Sequence, residues 1–217
     1  MRKAVLFLNG RYRAQDIPTY RKLARGRFKV AVDGGYLFFG RSGLVPDLLI
    51  GDFDSLKKLP GKLPTKTRVV RFPSDKDKTD TELALDYCLD QGITQIDLVQ
   101  PSLGDADHFL ANLFLLTRAS RLIGRKKVSL RLVGPGYEVF LVSDGRIGFR
   151  RAGGSVVSVV PVSGAITLTC RGTAFNVTRA GIARGRTRAT RNRIMAVDAW
   201  FEVAGKAFVI RHFPRPK

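Results

Sequence analysis

The first half of the chain alternates two kinds of apolar pattern. Short runs at Ala4-Val5-Leu6-Phe7-Leu8, Lys29-Val30-Ala31-Val32, Asp47 to Ile50, Arg68-Val69-Val70-Arg71-Phe72 and Ile96-Asp97-Leu98-Val99 have the length of buried strands. Asp80 to Gln91 instead puts Leu83, Ala84, Tyr87 and Cys88 on one helical face, and Gly92 follows as a helix-ending glycine. Phe109 to Leu122 repeats that spacing with Leu110, Leu113, Phe114 and Thr117. Strands alternating with helices predict a mainly parallel sheet covered by helices, a Rossmann-like α/β arrangement. From about Val128 the pattern changes to short β-branched runs such as Val156 to Val160 and Ile166 to Thr169, separated by turn residues. Trp200 to Val203, Ala204-Gly205-Lys206 and Ala207 to Ile210 read as strand, turn and strand. An all-β sandwich is expected there. With the boundary near Arg125-Lys126-Lys127, the expected domains are residues 1–126 and 127–217.

Composition narrows the class. With 44% hydrophobic residues the chain can bury a core. No apolar run approaches the roughly 20 residues of a bilayer span, so no membrane role is expected. The start, Met1-Arg2-Lys3 and then Ala4 to Leu8, reads as a first strand rather than an export signal. Cys88 and Cys170 are far apart and show no metal-binding spacing, which suggests the reducing cytoplasm.

Charge changes the picture more. The formal net charge is +20, yet twelve of the 18 acidic residues fall between Asp47 and Asp107. Most of them form three clusters: Asp47 through Gly51-Asp52-Phe53-Asp54-Ser55, then Asp75-Lys76-Asp77-Lys78-Thr79-Asp80, then Gly104-Asp105-Ala106-Asp107-His108. Each follows a predicted strand, where open α/β sheets bind ligands. Carboxylates gathered in a basic protein point to a hard divalent cation such as Mg²⁺, which takes one or two carboxylates plus substrate phosphates. Magnesium with phosphates means nucleotide chemistry.

Each cluster also has a plainer reading. Asp52 and Asp54, two apart, face one side of an extended chain, or simply occupy a solvated turn. Thr79 or Asp80 would cap the helix that follows, and its N-terminus favours phosphate oxygens. Capping does not require Asp75 and Asp77. Asp107 could likewise cap the helix carrying Asn112. Arg184, Arg186 and Arg188 alternate strictly, so on a strand they would form a cationic stripe, either solvated or bound to phosphates. No G-x-x-x-x-G-K-[ST] and no G-x-G-x-x-G after a strand occurs.

In these stretches the chain resembles the thiamine pyrophosphokinase (thiamin diphosphokinase) family. The matching segments are Leu8-Asn9-Gly10, Asp33-Gly34-Gly35, Pro46-Asp47 through Leu56, Asp75 through Ala84-Leu85, and Asp107-His108 with Asn112-Leu113. The resemblance implies an N-terminal α/β domain, a C-terminal β-sandwich and a homodimer with active sites between subunits. By position, Asp52, Asp54 and Asp77 would hold Mg²⁺ directly or through water. Asp33, Gly34, Lys76, Thr79, Asp80, His108 and Asn112 would shape an ATP site. Asp54, Asp77 and Asp107 are the candidate catalytic carboxylates. Phe175 would stack on the acceptor ring, with Thr190 and Asn192 lining its pocket. Departures from the family pattern are Asp105 for an arginine, Tyr36-Leu37 for alanine-asparagine, and Arg191 for a pocket serine.

The expected function is Mg²⁺-dependent transfer of diphosphate from ATP to the hydroxyl of thiamine, releasing AMP. Arg191 motivates a second reading, the same chemistry on another alcohol such as a hydroxymethylpterin. The arginine stripe and Asp105 motivate a third, a nucleic-acid-binding or regulatory relative.

Overall fold

The computed structural model describes residues 3–56, 63–101, 105–126 and 128–214, and describes 119–126 by backbone only. Gly104 of the third acidic cluster and Lys127 at the expected boundary lie outside the described residues. The chain divides into two compact units, Met1–Pro135 and Gly136–Lys217.

Among its described residues the first unit holds six strands: β1 (Lys3–Phe7), β2 (Phe28–Val32), β3 (Leu48–Gly51), β4 (Arg68–Arg71), β5 (Gln95–Val99) and β6 (Ser129–Gly134). They pair in the order β4-β3-β2-β1-β5-β6, and every pairing is parallel. Parallel strands need crossovers, and helices α1 (Ile17–Ala24), α2 (Tyr36–Ser42), α3 (Asp80–Asp90) and α4 (Ala106–Lys126) lie in them. Ala4 to Phe7 and Leu48 to Ile50 are fully buried, which is why these strands read as unbroken apolar runs. An aromatic cluster packs beside β1: Phe7 stacks on Phe38 at 4.1 Å, and Tyr12, Tyr20 and Phe39 close around them.

Two features differ from the pattern reading. The division falls after Pro135 rather than after residue 126. Ser129–Gly134 looked like the start of the all-β region, but it pairs in parallel with β5, from Ser129 opposite Gln95 to Val133 opposite Val99. A single β-branched strand carries no mark of the sheet it will join. The short helices α1 and α2 lack the long periodic face that made α3 and α4 legible.

The second unit is antiparallel throughout: β7 (Tyr137–Phe149), β8 (Val156–Pro161), β9 (Ala165–Arg171), β10 (Val177–Ala183), β11 (Asn192–Arg193) and β12 (Ala199–His212). Strand β12 organises it. One edge of β12 pairs with β7 along nearly its whole length. The other edge pairs first with β9 through Ala204 and then with β8 from Ala207. The switch occurs at a bulge between Val203 and Lys206. Gly205 has φ +98° there, and a Cβ would meet Ser163 Oγ at 2.9 Å and Ala165 O at 3.0 Å. The expected strand, turn and strand over Trp200 to Ile210 is therefore one bulged strand. Glycine marks the kink but does not reverse the chain.

Candidate active site

Strand ends build the site. Strand order runs outward in both directions from β1, and such a switch leaves a crevice outside the carboxyl ends of the strands. Asp33 follows β2 with φ +46° and opens the turn Asp33-Gly34-Gly35. That turn lies hard against the exit of β1: a Cβ on Gly35 would sit 1.9 Å from Phe7 O, and one on Gly34 2.1 Å from Asn9 Oδ1. Gly51, ending β3, also lies close to Asp33, with a Cβ position 3.0 Å from the Asp33 Cβ. Missing side chains thus bring the exits of three strands together.

Beyond Gly51 the chain turns rather than extends. Phe53 has φ +69° and buries its ring, with the Arg71 guanidinium 5.9 Å from the ring centroid. Asp52 Oδ1 accepts the Asp54 N–H at 3.2 Å. Asn9 Nδ2 donates to Ser55 Oγ at 2.9 Å, and Ser55 Oγ donates to Asp54 Oδ1 at 3.2 Å. Asp52 therefore faces inward and Asp54 is exposed, unlike the shared side of an extended chain. Thr79 caps α3 as expected, its Oγ1 accepting from the Glu82 N–H at 3.2 Å.

Asp33, Asp52 and Asp80 converge, each offering one carboxylate oxygen within 4.8 Å of the others. Asp33 is 4% exposed. Its Oδ1, like Asp80 Oδ1, is buried without a hydrogen-bond partner among the described residues. Lys76 Nζ donates to Asp52 Oδ2 at 2.7 Å and lies 3.2 Å from Asp80 Oδ1, an ion pair lacking hydrogen-bond alignment. The hydrogen bond from Lys76 holds the Asp52 carboxyl below its ordinary range. Burial pushes Asp80 up, against the pull of Lys76. Burial also opposes the Lys76 charge, but the hydrogen bond to Asp52 and the ion pair with Asp80 outweigh it and raise its pKa.

These groups line a cavity of about 480 Å³ in the first unit. Of the residues named from sequence, Asp33, Asp52, Asp54, Lys76, Asp77, Thr79, Asp80, His108 and Asn112 line it; Gly34 and Asp107 are not among the lining residues. Gly34 shapes the turn instead. Asp107 lies inside α4, which begins at Ala106, and its Oδ1 accepts the adjacent His108 N–H at 2.7 Å, so it does not precede and cap the helix. Asp54 and Asp77 are exposed and lie outside the three-carboxylate group, where Asp33 and Asp80 join Asp52. Asp105 also lines the cavity. Asn9 and Gln100 were not singled out. Gln100 is buried and its Oε1 accepts from Asn112 Nδ2 at 3.0 Å, positioning it. Gln100 directly follows β5 and Asn9 follows β1 after one intervening residue, within the matching segment Leu8-Asn9-Gly10; position at a strand end is the signal that points to both.

A second cavity of about 620 Å³ lies in the second unit, and Phe175, Thr190 and Asn192 all line it. Asn192 fixes its rim: Nδ2 donates to Phe175 O at 2.7 Å and to Thr173 Oγ1 at 3.1 Å, while Oδ1 accepts the Phe175 N–H at 3.1 Å. That clamp leaves the Phe175 ring 75% exposed. Arg191 is not a lining residue; its backbone, at φ +58°, donates its N–H to Ser158 Oγ at 2.9 Å. Arg188 does line the cavity. Arg184 to Arg188 lie in turns after β10 rather than on a strand, so strict alternation builds no flat stripe.

Three carboxylates, with Asp33 Oδ1 lacking a hydrogen-bond partner among the described residues and Asp80 Oδ1 held only by the Lys76 ion pair there, form an all-oxygen donor set, the kind hard cations take. The residues fit Mg²⁺. Among the described residues, no helix is long and apolar enough to cross a membrane.

The family model described as "Thiamin pyrophosphokinase, catalytic domain" matches residues 20–128. The thiamine pyrophosphokinase of Bacillus subtilis is 26% identical over 179 residues, spanning 81% of this chain and 82% of the relative. A crystal structure of thiamine pyrophosphokinase from Bacillus subtilis superposes with a TM-score of 0.78 at 21% identity, covering 99% of this chain and all of that one. That of thiamin pyrophosphokinase from Geobacillus thermodenitrificans gives 0.77 at 25% identity, covering 98% and 97%.

Proposed function

The chain belongs to the thiamin pyrophosphokinase family, and on that premise we propose that it transfers diphosphate from ATP to the hydroxyl of thiamine. The acceptor hydroxyl loses its proton to solvent or a cavity carboxylate, its oxygen forms a bond to the β-phosphorus, the bond from that phosphorus to the α–β bridging oxygen breaks, and AMP leaves carrying that bridging oxygen. The observation that carries this reading is the convergence of Asp33, Asp52 and Asp80 in a cavity at the ends of parallel strands.

In this reading the first unit is the Rossmann-like nucleotide-binding domain and the second is a β-sandwich that binds the acceptor. Asp33, Asp52 and Asp80 would hold Mg²⁺, with Asp54 and Asp77 reaching it through water. The ion would supply neutralisation of phosphate charge as the bond breaks. Lys76 offsets further phosphate charge. Thr79 and the start of α3, which line the cavity, offer a helix N-terminus to phosphate oxygens. Buried Asn112, steadied by Gln100, gives that cavity a fixed wall. Catalysis is then mainly positioning and charge neutralisation, as in other phosphoryl transfers. The exposed Phe175 ring offers a face for the acceptor ring, and Asn192 sets its position. A homodimer would place active sites between subunits.

Arg191, the reason for considering a hydroxymethylpterin, does not line the second cavity, whereas Arg188 does; the choice of thiamine therefore rests on the family match. The deciding measurement is AMP formation from ATP and Mg²⁺ with thiamine and with hydroxymethylpterin in parallel. AMP dependent on thiamine is expected. Release with the pterin alone would reassign the acceptor, and release with neither would refute the activity.

A further inference from the structure

The carboxylates of the cavity do not stand free. Lys76 Nζ lies 2.7 Å from Asp52 Oδ2 and 3.2 Å from Asp80 Oδ1, with the lysine side chain 15% exposed and that of Asp52 9%. Asp33, the third member, keeps Oδ1 buried and without a hydrogen-bond partner among the described residues. An ammonium carries one charge and three directed donors, so it satisfies the oxygens it faces and no others. A small divalent cation gathers oxygens all round at about 2.1 Å. Both species need Asp52 and Asp80. Two cations sharing those carboxylates, away from bulk water, repel each other strongly.

We propose that Lys76 is a built-in competitor for the cation: its ammonium holds Asp52 and Asp80 together in the metal-free protein and leaves them when a divalent ion binds Asp33, Asp52 and Asp80. The inference rests on the cation reading given above. Lys76 lines the same cavity, and its flexible four-carbon stem lets the displaced ammonium stay on the wall, where phosphate oxygens accept its donors. Metal entry thereby releases a positive charge for phosphate. Linkage demands the converse: phosphate that draws Lys76 away tightens the metal by the same factor.

Lys78 separates competition from a general field effect. It lines the same cavity with the same charge, but its Nζ is held by Asp86 Oδ2 at 2.9 Å.

The test is Mn²⁺ binding without nucleotide, followed by calorimetry and by the spin-resonance signal of free Mn²⁺, in the full chain and in Lys76→Met and Lys78→Met. Competition predicts that Lys76→Met binds Mn²⁺ about tenfold more tightly, within the usual range of coupling between sites, while Lys78→Met stays near the parent. The metal-free Lys76→Met protein should also melt lower and gain more in Tm from Mn²⁺ than the parent does. Equal tightening in both variants would reduce the effect to general charge and overturn the proposal. So would unchanged or weaker binding in Lys76→Met. If neither parent nor Lys76→Met binds millimolar Mn²⁺, the cation reading itself fails and takes the proposal with it. Lys76→Gln repeats the measurement should the methionine variant not fold.

Discussion

Replacing Asp33 by Asn should stabilise the metal-free protein while weakening its hold on a divalent cation. The Asp33 carboxylate is buried, with one oxygen unpartnered, and faces those of Asp52 and Asp80 at no more than 4.8 Å. One ammonium, Lys76, offsets one of those two charges. To first order Asp33 therefore faces a net charge of minus one. At that separation and an effective dielectric of about 20, Coulomb's law gives a repulsion of about 3.5 kcal/mol. Water at the cavity mouth and local relaxation screen part of it, leaving about 1–3 kcal/mol as the expected gain. Asn matches the shape of Asp, tolerates φ near +46° and can donate to the neighbouring carboxylates. For a chain of this size each kcal/mol raises Tm by about 2–4 °C. Calorimetric melting in EDTA measures that gain. Titration with Mn²⁺ should show affinity reduced at least about tenfold, since one charged ligand is gone. A variant that melts below the parent in EDTA, or binds Mn²⁺ as the parent does, would refute the charge arrangement argued here.

Further outcomes follow from other parts of the molecule. Asp54→Asn, exposed at the cavity and, among the described residues, bonded only within its own turn, should abolish AMP formation without changing the melting curve; near-normal AMP release would remove Asp54 from the machinery. Asn192→Ala loses all three bonds that clamp Phe175 and Thr173, so KM for the acceptor should rise more than kcat falls, with KM for ATP unchanged. Gly35→Ala would drive a Cβ to within 1.9 Å of Phe7 O, and the resulting overpacking should cost about 1–3 kcal/mol in urea unfolding. Burial and then Arg191 lower the pKa of His212 below its ordinary 6.5. Folding therefore disfavours the charged imidazole, and its contribution to stability is complete above pH 6.5 and lost as pH falls from there toward the folded value. Melting temperatures across that window should fall less in His212→Gln than in the parent.

Much of the first unit was legible as pattern. Buried parallel strands are apolar on both faces, so β1 and β3 announce themselves as short unbroken runs, while β2 and β5 show the same signal broken by one charged residue each, Lys29 and the buried, ion-paired Asp97. Helix α3 showed its cap at Thr79 and its stop at Gly92, because capping is chemistry among near neighbours. Pairing partners were not legible. Strand β6 joins the parallel sheet, and β12 runs straight through Gly205, because register and sheet membership depend on segments far away in the chain.

The same division holds at the site. The sequence alone determined that acidic residues gather after strands in a basic chain, that Thr79 starts a helix beside them, and that the motifs belong with the thiamin pyrophosphokinase family. Only the tertiary structure decided which carboxylates meet. Asp33 and Asp80 join Asp52 because Gly51 and the Gly34-Gly35 turn let three strand exits approach within contact, while the left-handed turn at Phe53 carries Asp54 outward. Only folding set Lys76 on two of those carboxylates and drew Arg191 away from the second cavity's lining. Residue type and spacing are local properties, but distance between charges belongs to the folded backbone, and distance is what a cation and a phosphate chain respond to.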